Sequence, residues 1–375
     1  MKIIVSPNSY KESLSSIDAA NIIISVLKKH LNNSQFIDLP IADGGDGSFD
    51  VFSKYVNGIT ITKKTLSPTG EKINSKYLLF DNGKAAFIEL SDSSGLKLVK
   101  KDFRNPLMYN SYSTGEIILS AIKKGVKKII LALGGSATVD GGIGILSALG
   151  VKFLNKDGNV LKRKNFINEI SKIEYEKNLF PNIEFTLLTD VKNKLLGKNG
   201  ASYVFSKQKG ATKLQMDQLE NGLLNLSNIT KQKIKVNPEM IVGGGSAGGI
   251  AAFLKVFLNA KIYSGTDFFF KIMNFEKHIN NANILITGEG NLDFQTLQGK
   301  APFEVAKKGK KKGLLTIALV ASVDSNAYSE LNKFFDIIIP FQKKSTKYSI
   351  QNAKKLIKEE SKRLAEIIDL SEKII

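Results

Sequence analysis

Four stretches of this 375-residue chain place acids where apolar runs end. FIDLPIA ends in Asp43-Gly44-Gly45-Asp46-Gly47. KKIILAL leads into Gly134-Gly135-Ser136-Ala137-Thr138-Val139-Asp140. IEFTLLT closes on Asp190, and ANILIT closes on Gly288-Glu289-Gly290, with Asp293 close behind. Each alone reads as a turn, since glycine supplies unusual backbone angles and aspartate bonds its own backbone. Four together suggest a common site, because open α/β sheets bind ligands beyond the carboxyl ends of their strands. Carboxylates without histidine or cysteine suit Mg²⁺, a hard ion that takes oxygen ligands and keeps waters. Glycine loops opening onto helices offer N–H groups to phosphate. Lys11 in NSYKES and Lys300 in LQGKAP stand beside such loops, where a cation neutralises charge during phosphoryl transfer. The chemistry implied is phosphoryl transfer to a hydroxyl, with an acid as its base.

The elements that must position these residues alternate between strand and helix. KIIVS at the N-terminus reads as a buried strand, and apolar spacing from Ser16 to Leu31 reads as a helix. A second helix starts near Ser48. Residues 59–90 change texture: they alternate and carry Pro-Thr-Gly and Asp-Asn-Gly turn signals, as an antiparallel meander would. The α/β pattern then resumes through the helix TGEIILSAIKKG, the hairpin-like VKFLNKDGNVL and the glycine loop GGGSAG, and ends in the strands LLTIALVAS and FDIIIPF. An amphipathic helix follows from Ser349. The expected division is a discontinuous domain of residues 1–58 plus 282–375, built on a doubly wound sheet, with residues 59–281 inserted as a second α/β domain.

Composition removes several function classes. The length favours two domains. Cysteine is absent, so disulfides, thiolate zinc sites and a cysteine nucleophile are excluded. His30 and His278 are the only histidines, too few for a multi-histidine metal site. Neither a signal peptide nor a membrane-length run is present, and a cytoplasmic location is expected. The formal charge of +19 raises the possibility of a polyanion-binding protein. The cations are nearly all lysine, however, with Arg104, Arg163 and Arg363 the only arginines. Phosphate and base readers favour the arginine fork. A solvated lysine surface is expected, with no nucleic-acid or membrane partner.

No GxxxxGK[ST] phosphate loop and no protein-kinase motif set occurs. GGGSAG (243–248) matches the dinucleotide fingerprint, with Asp267 downstream, and so raises a nicotinamide-dependent dehydrogenase as a rival. Only EMIV separates the loop from Pro238, too little for a firm strand before it. A packing loop at a helix start is the reading preferred here.

The motifs in series resemble those of the type 1 bacterial glycerate kinases. They are NSYKES (8–13), PIADGGDG (40–47), RNP (104–106) with TGE (114–116), GGSATVDGG (134–142), NGA (199–201) with QKGAT (208–212), SAGG (246–249) and ITGEGNLDFQTLQGKAP (286–302). They keep the family's order and span nearly the whole chain. The resemblance implies ATP-dependent, Mg²⁺-assisted phosphorylation of D-glycerate. It also implies two α/β domains, one flavodoxin-like (Rossmann-like) and one restriction-enzyme-like, with a cleft between. Another small hydroxy acid is the alternative substrate. The oligomeric state and the choice between 2- and 3-phosphoglycerate are left open.

Within that resemblance, Asp190 and Glu289 are candidates for metal ligand or base. Lys11, Lys300 and Asp293 join them as catalytic candidates. Asp43 and Asp46 would hold Mg²⁺ or substrate hydroxyls. Gly134, Gly135, Ser136 and Thr138 would cradle phosphate, with Asp140 bracing the loop. Arg104 would hold the glycerate carboxylate bidentately or brace its loop. Gln295 and Thr296 are carried over from the D.QT motif. The chain departs from the family pattern at Asn8, Asp92, Lys192 and Asn291.

Overall fold

The computed structural model describes residues 1–10, 13–162, 164–294, 296–342 and 347–374, the side chains of 298, 347–350 and 371–374 excepted. Lys11 and Gln295 lie outside the described residues. The chain forms two compact units, residues 1–43, 50–55 and 266–375, and residues 44–49 and 56–265.

The first unit holds five parallel strands: β1 (Lys2–Val5), β2 (Gln35–Asp38), β9 (Ile284–Thr287), β10 (Leu315–Val320) and β11 (Ile337–Pro340). Their order is β11-β10-β9-β1-β2, with Ile3 paired to both Ile284 and Phe36. Counted along the chain, this is the flavodoxin-like order 2-1-3-4-5, with its topological switch between β1 and β9. Strand periodicity sends alternate side chains to opposite layers. Ile3, Val5, Ile286, Ile317 and Leu319 share one core with Ala20, Ile23 and Leu27 of the helix Ser16–Leu27 and with Ile357 and Leu364 of the helix Lys347–Ile374. Ala318 and Val320 belong to another, with Ala306, Leu331 and Phe335. Both faces are covered, so these strands read as continuous apolar runs. β2 is shorter than FIDLPIA suggested. Leu39 and Ile41 still donate to Val5 and Pro7, but Pro40 between them has no N–H to offer the ladder.

The second unit holds a mixed six-stranded sheet: β3 (Gly58–Leu66), β4 (Lys72–Phe80), β5 (Ala85–Glu89), β6 (Lys128–Ala132), β7 (Glu184–Leu188) and β8 (Lys261–Tyr263). The order is β8-β7-β6-β5-β4-β3. The meander β3–β4–β5 is antiparallel as expected, and β5 through β8 run parallel. VKFLNKDGNVL turns back only briefly, because Lys152–Leu154 pairs with Lys172–Glu174 instead. The helix Lys213–Ile234 had no counterpart in the reading from sequence. Its signal is a capping box between Thr212 and Gln215, followed by buried Leu219, Leu223 and Leu226. Among the described residues, no helix is long and apolar enough to cross a membrane.

Past β1, the chain is tied down by Tyr10. Its buried hydroxyl donates to the Leu319 carbonyl at 2.7 Å, and its ring stacks on Phe341. Burial, and secondarily Glu289, push the phenol far above its ordinary range, so it stays a neutral donor. Tyr10→Phe should lower stability by about 1–2 kcal/mol in urea unfolding followed by circular dichroism, because the Leu319 carbonyl loses a buried donor.

Candidate active site

In the second unit, the ends of β5, β6 and β7 carry the candidate residues. Gly134 donates its N–H to the Gly44 carbonyl at 2.8 Å, and Leu133 donates to Leu188 at 3.1 Å. A side chain at Gly134 would collide with the Cα of Gly45, so this close approach of the two backbones requires glycine at position 134. A β-carbon at Gly135 would lie 2.6 Å from Asp46 Oδ1, so the Asp46 carboxylate sits directly over that peptide. The glycine loop after β6 is therefore packed against the Asp-Gly-Gly-Asp-Gly stretch.

Two residues not singled out from sequence join Asp46. Glu89, buried at the end of β5, accepts from Ser91 Oγ at 2.5 Å and from the Phe49 N–H at 2.9 Å. Lys97 Nζ lies 3.1 Å from Glu89 Oε1 and 3.7 Å from Asp46 Oδ1. Burial works to lower the Lys97 pKa, but the Glu89 and Asp46 charges outweigh it, and the pKa is raised. The signal for Glu89 was present in the sequence: IEL also closes a strand in an acid, but without a flanking glycine.

Asp140 is fully buried. Its Oδ2 accepts from the Ser111 N–H and Oγ, both at 2.8 Å, and from Gly144 at 3.3 Å, while Oδ1 accepts from Gly142 at 3.1 Å. This geometry braces the loop. Thr138 is also fully buried, and the Gly134 N–H is engaged by Gly44, which leaves Ser136 as the loop's slightly exposed hydroxyl, at 5 %. Arg104 donates from Nη1 to the Gln208 carbonyl at 3.4 Å, a bond that ties RNP to QKGAT. Asp190 Oδ1 accepts from Ser264 Oγ at 2.7 Å.

In the first unit, Glu289 is buried just beyond β9, beside the switch point. Its Oε1 accepts from Thr296 Oγ1 at 2.8 Å. Asp293 Oδ1 accepts from the Thr296 N–H at 3.1 Å and lies 3.5 Å from Lys300 Nζ. Lys300 is the N-cap residue of the helix Ala301–Lys311. The structure thus brings Glu289, Asp293, Thr296 and Lys300 together. Asp43 stands at the edge of the same unit, with Asn8 Nδ2 3.5 Å from its Oδ2.

The residues over 3–369 match the Glycerate kinase family model. The chain belongs to the glycerate kinase family. It is 37% identical over 327 residues to the glycerate 2-kinase of Escherichia coli (strain K12), across 86% of each chain. It is 37% identical over 341 residues to the glycerate kinase of Bacillus cereus (strain ATCC 10987 / NRS 248), across 90% of each. The crystal structure of a candidate glycerate kinase 2 from Salmonella typhimurium LT2 superposes with a TM-score of 0.78 at 30% identity, covering 100% of this chain and 99% of that one.

Three positions where this glycerate kinase family member departs from the motif pattern have visible work. Asn8 puts an amide donor, not a second carboxylate, beside Asp43. Asn291 Nδ2 donates to Asp293 Oδ2 at 3.1 Å, and its Oδ1 accepts from Ser322. Asp92 Oδ2 accepts from the Lys76 N–H at 2.6 Å, while burial raises its pKa. The GGGSAG loop follows the short turn Pro238–Met240, with no strand directly before it. That context departs from the strand–loop–helix a dinucleotide fingerprint requires. Asp140→Asn, which exchanges an acceptor oxygen for an NH₂ among four donors, should cost about 2–4 kcal/mol in denaturant unfolding.

Proposed function

We propose that this chain transfers the terminal phosphoryl group of ATP to a hydroxyl of D-glycerate. The observation that carries the reading is the cluster beside the β1/β9 switch, where Glu289, Thr296, Asp293 and Lys300 meet at the start of the helix Ala301–Lys311. A helix N-terminus and a lysine attract phosphate. Buried Glu289, oriented by the Thr296 hydroxyl, is suited to take the substrate hydroxyl proton or to hold a metal ion. Family membership and the names of the relatives support glycerate as the acceptor.

Mg²⁺ is part of the proposal, and the donor chemistry fits it. Among the described residues, no three His, Cys, Asp or Glu side chains form a metal-binding group. Mg²⁺ in kinases needs no such cage, since one or two carboxylates plus phosphates and waters suffice. Glu289 and Asp190, each at a strand end of its own unit, are separately candidates to hold it, and bound Mg²⁺ would neutralise phosphate charge. Lys300 and Lys11 are assigned to the transferring phosphoryl group, Asp43 and Asp46 to substrate hydroxyls or metal, and Arg104 to the substrate carboxylate. The domain pair 1–58 plus 282–375 and 59–281, like the cytoplasmic location, belongs to the same proposal. It draws support from the first unit's joining of strands from residues 2–38 and 284–340 in one sheet.

A coupled ADP-release assay tests the reading. Turnover should require D-glycerate and Mg²⁺ together, and Glu289→Gln and Lys300→Met should each lower kcat by about 100-fold or more. Absence of Mg·ATP binding by calorimetry would sink it, and ADP release with a different hydroxy acid would overturn the substrate alone.

A further inference from the structure

We propose that Lys209 is a positioning residue for phosphoryl transfer, turning the hydroxyl hydrogen of Ser136 toward the phosphoryl group from beneath the glycine loop. The inference rests on the kinase reading above. Lys209 closes the short turn Lys207–Lys209 and is 3 % exposed. Its Nζ donates to Ser136 Oγ and to the Thr138 carbonyl, both at 2.7 Å. An ammonium has three hydrogens and no lone pair, so in this bond the Ser136 oxygen can only accept. The single hydrogen of the serine is then left for another acceptor, such as a phosphoryl oxygen. A neutral amine has a lone pair and can take that hydrogen itself. The charge on Lys209 therefore decides whether Ser136 acts as a donor.

The surroundings place that charge within reach of ordinary pH. Burial pulls the Lys209 pKa down to about 7, against the opposing pull of Asp140 on the same loop. On the neighbouring elements, Arg104 donates to the Gln208 carbonyl, and its own carbonyl lies against Gly210. Across the loop stand Asp46, Lys97 and Glu89. A bound phosphate adds negative charge and raises the Lys209 pKa, so the ligand itself favours the donor state.

The sign of the pH dependence separates this role from a structural one. The ammonium is present below about pH 7 and is lost as the pH rises through that value. The kcat/KM for Mg·ATP, which reports the free enzyme, should fall over that rise. Stability should move the other way. Above about pH 7 the unfolded chain binds a proton that the native fold has released, so folding is favoured with rising pH up to the usual lysine range.

The experiment is the glycerate-dependent ADP-release assay from pH 6 to 9 on the wild type, Lys209→Arg, Lys209→Met, Ser136→Ala and the Lys209→Met/Ser136→Ala double variant. Lys209→Arg should remove the limb near pH 7. Ser136→Ala, a small change that spares the lysine, should remove it too. Lys209→Met and Ser136→Ala should each lose about 10- to 100-fold in kcat/KM, and the double variant no more than the worse of the two. A limb that persists in active Ser136→Ala, or losses that multiply in the double variant, overturns the role of Lys209 and leaves the kinase reading standing. A wild type without glycerate-dependent turnover overturns the kinase reading, and this inference with it.

Discussion

The second unit's candidate site depends on one close approach of two backbones. Gly134 meets the backbone of Gly45 so closely that position 134 cannot carry a side chain, and the Gly134 N–H reaches the Gly44 carbonyl. That contact fixes the Asp46 carboxylate over Gly135 and brings the Glu89–Lys97 pair to the same place. Gly44 and Gly134 are thus packing residues first. They let acids from separate loops be held together by backbone bonds, which are less mobile than side-chain contacts. Pre-positioned charge of this kind is what phosphoryl transfer asks of a protein, because little covalent chemistry falls to the enzyme itself.

The two units solve the problem of placing acids differently. In the first, a doubly wound sheet supplies a switch point, and Glu289 follows directly from a buried strand. Its neighbours Asp293, Thr296 and Lys300 come from one continuous stretch, so local turn bonds do most of the positioning. In the second, the residues come from loops far apart in sequence. Their arrangement relies on buried braces, with Asp140 taking four hydrogen bonds and Lys209 stapling Ser136 to the Thr138 carbonyl.

This difference explains what was legible in the sequence. The strands announced themselves as apolar runs, and the glycine-acid ends marked where they stop. The cluster of Glu289, Asp293 and Lys300 was readable because its residues are close in the chain. Lys97 was not, since a lysine in a lysine-rich chain carries no signal until its surroundings are known, and Lys209, although inside the QKGAT motif, drew no role because its burial and its bond to Ser136 are not readable from spacing. Thr138 was assigned to the phosphate cradle on its type, but the backbone turns it fully inward. The helix Lys213–Ile234 escaped because its apolar stripe is narrow and interrupted by polar residues.

The pairing of β1 with β9 has a consequence for how the chain is made. Ile3, Ile4 and Val5 take their register from Ile284, Leu285 and Ile286, some 280 residues later. During synthesis the first strand leaves the ribosome long before the partner it needs on that side. The chain from residue 56 to 265 is complete by then and can bury its own core. The first sheet must close late, around a loop of that length, and until it does Ile3 to Val5 lack the β9 edge that protects them in the native fold. Long-range pairings of this type slow folding and leave apolar strand edges open to aggregation.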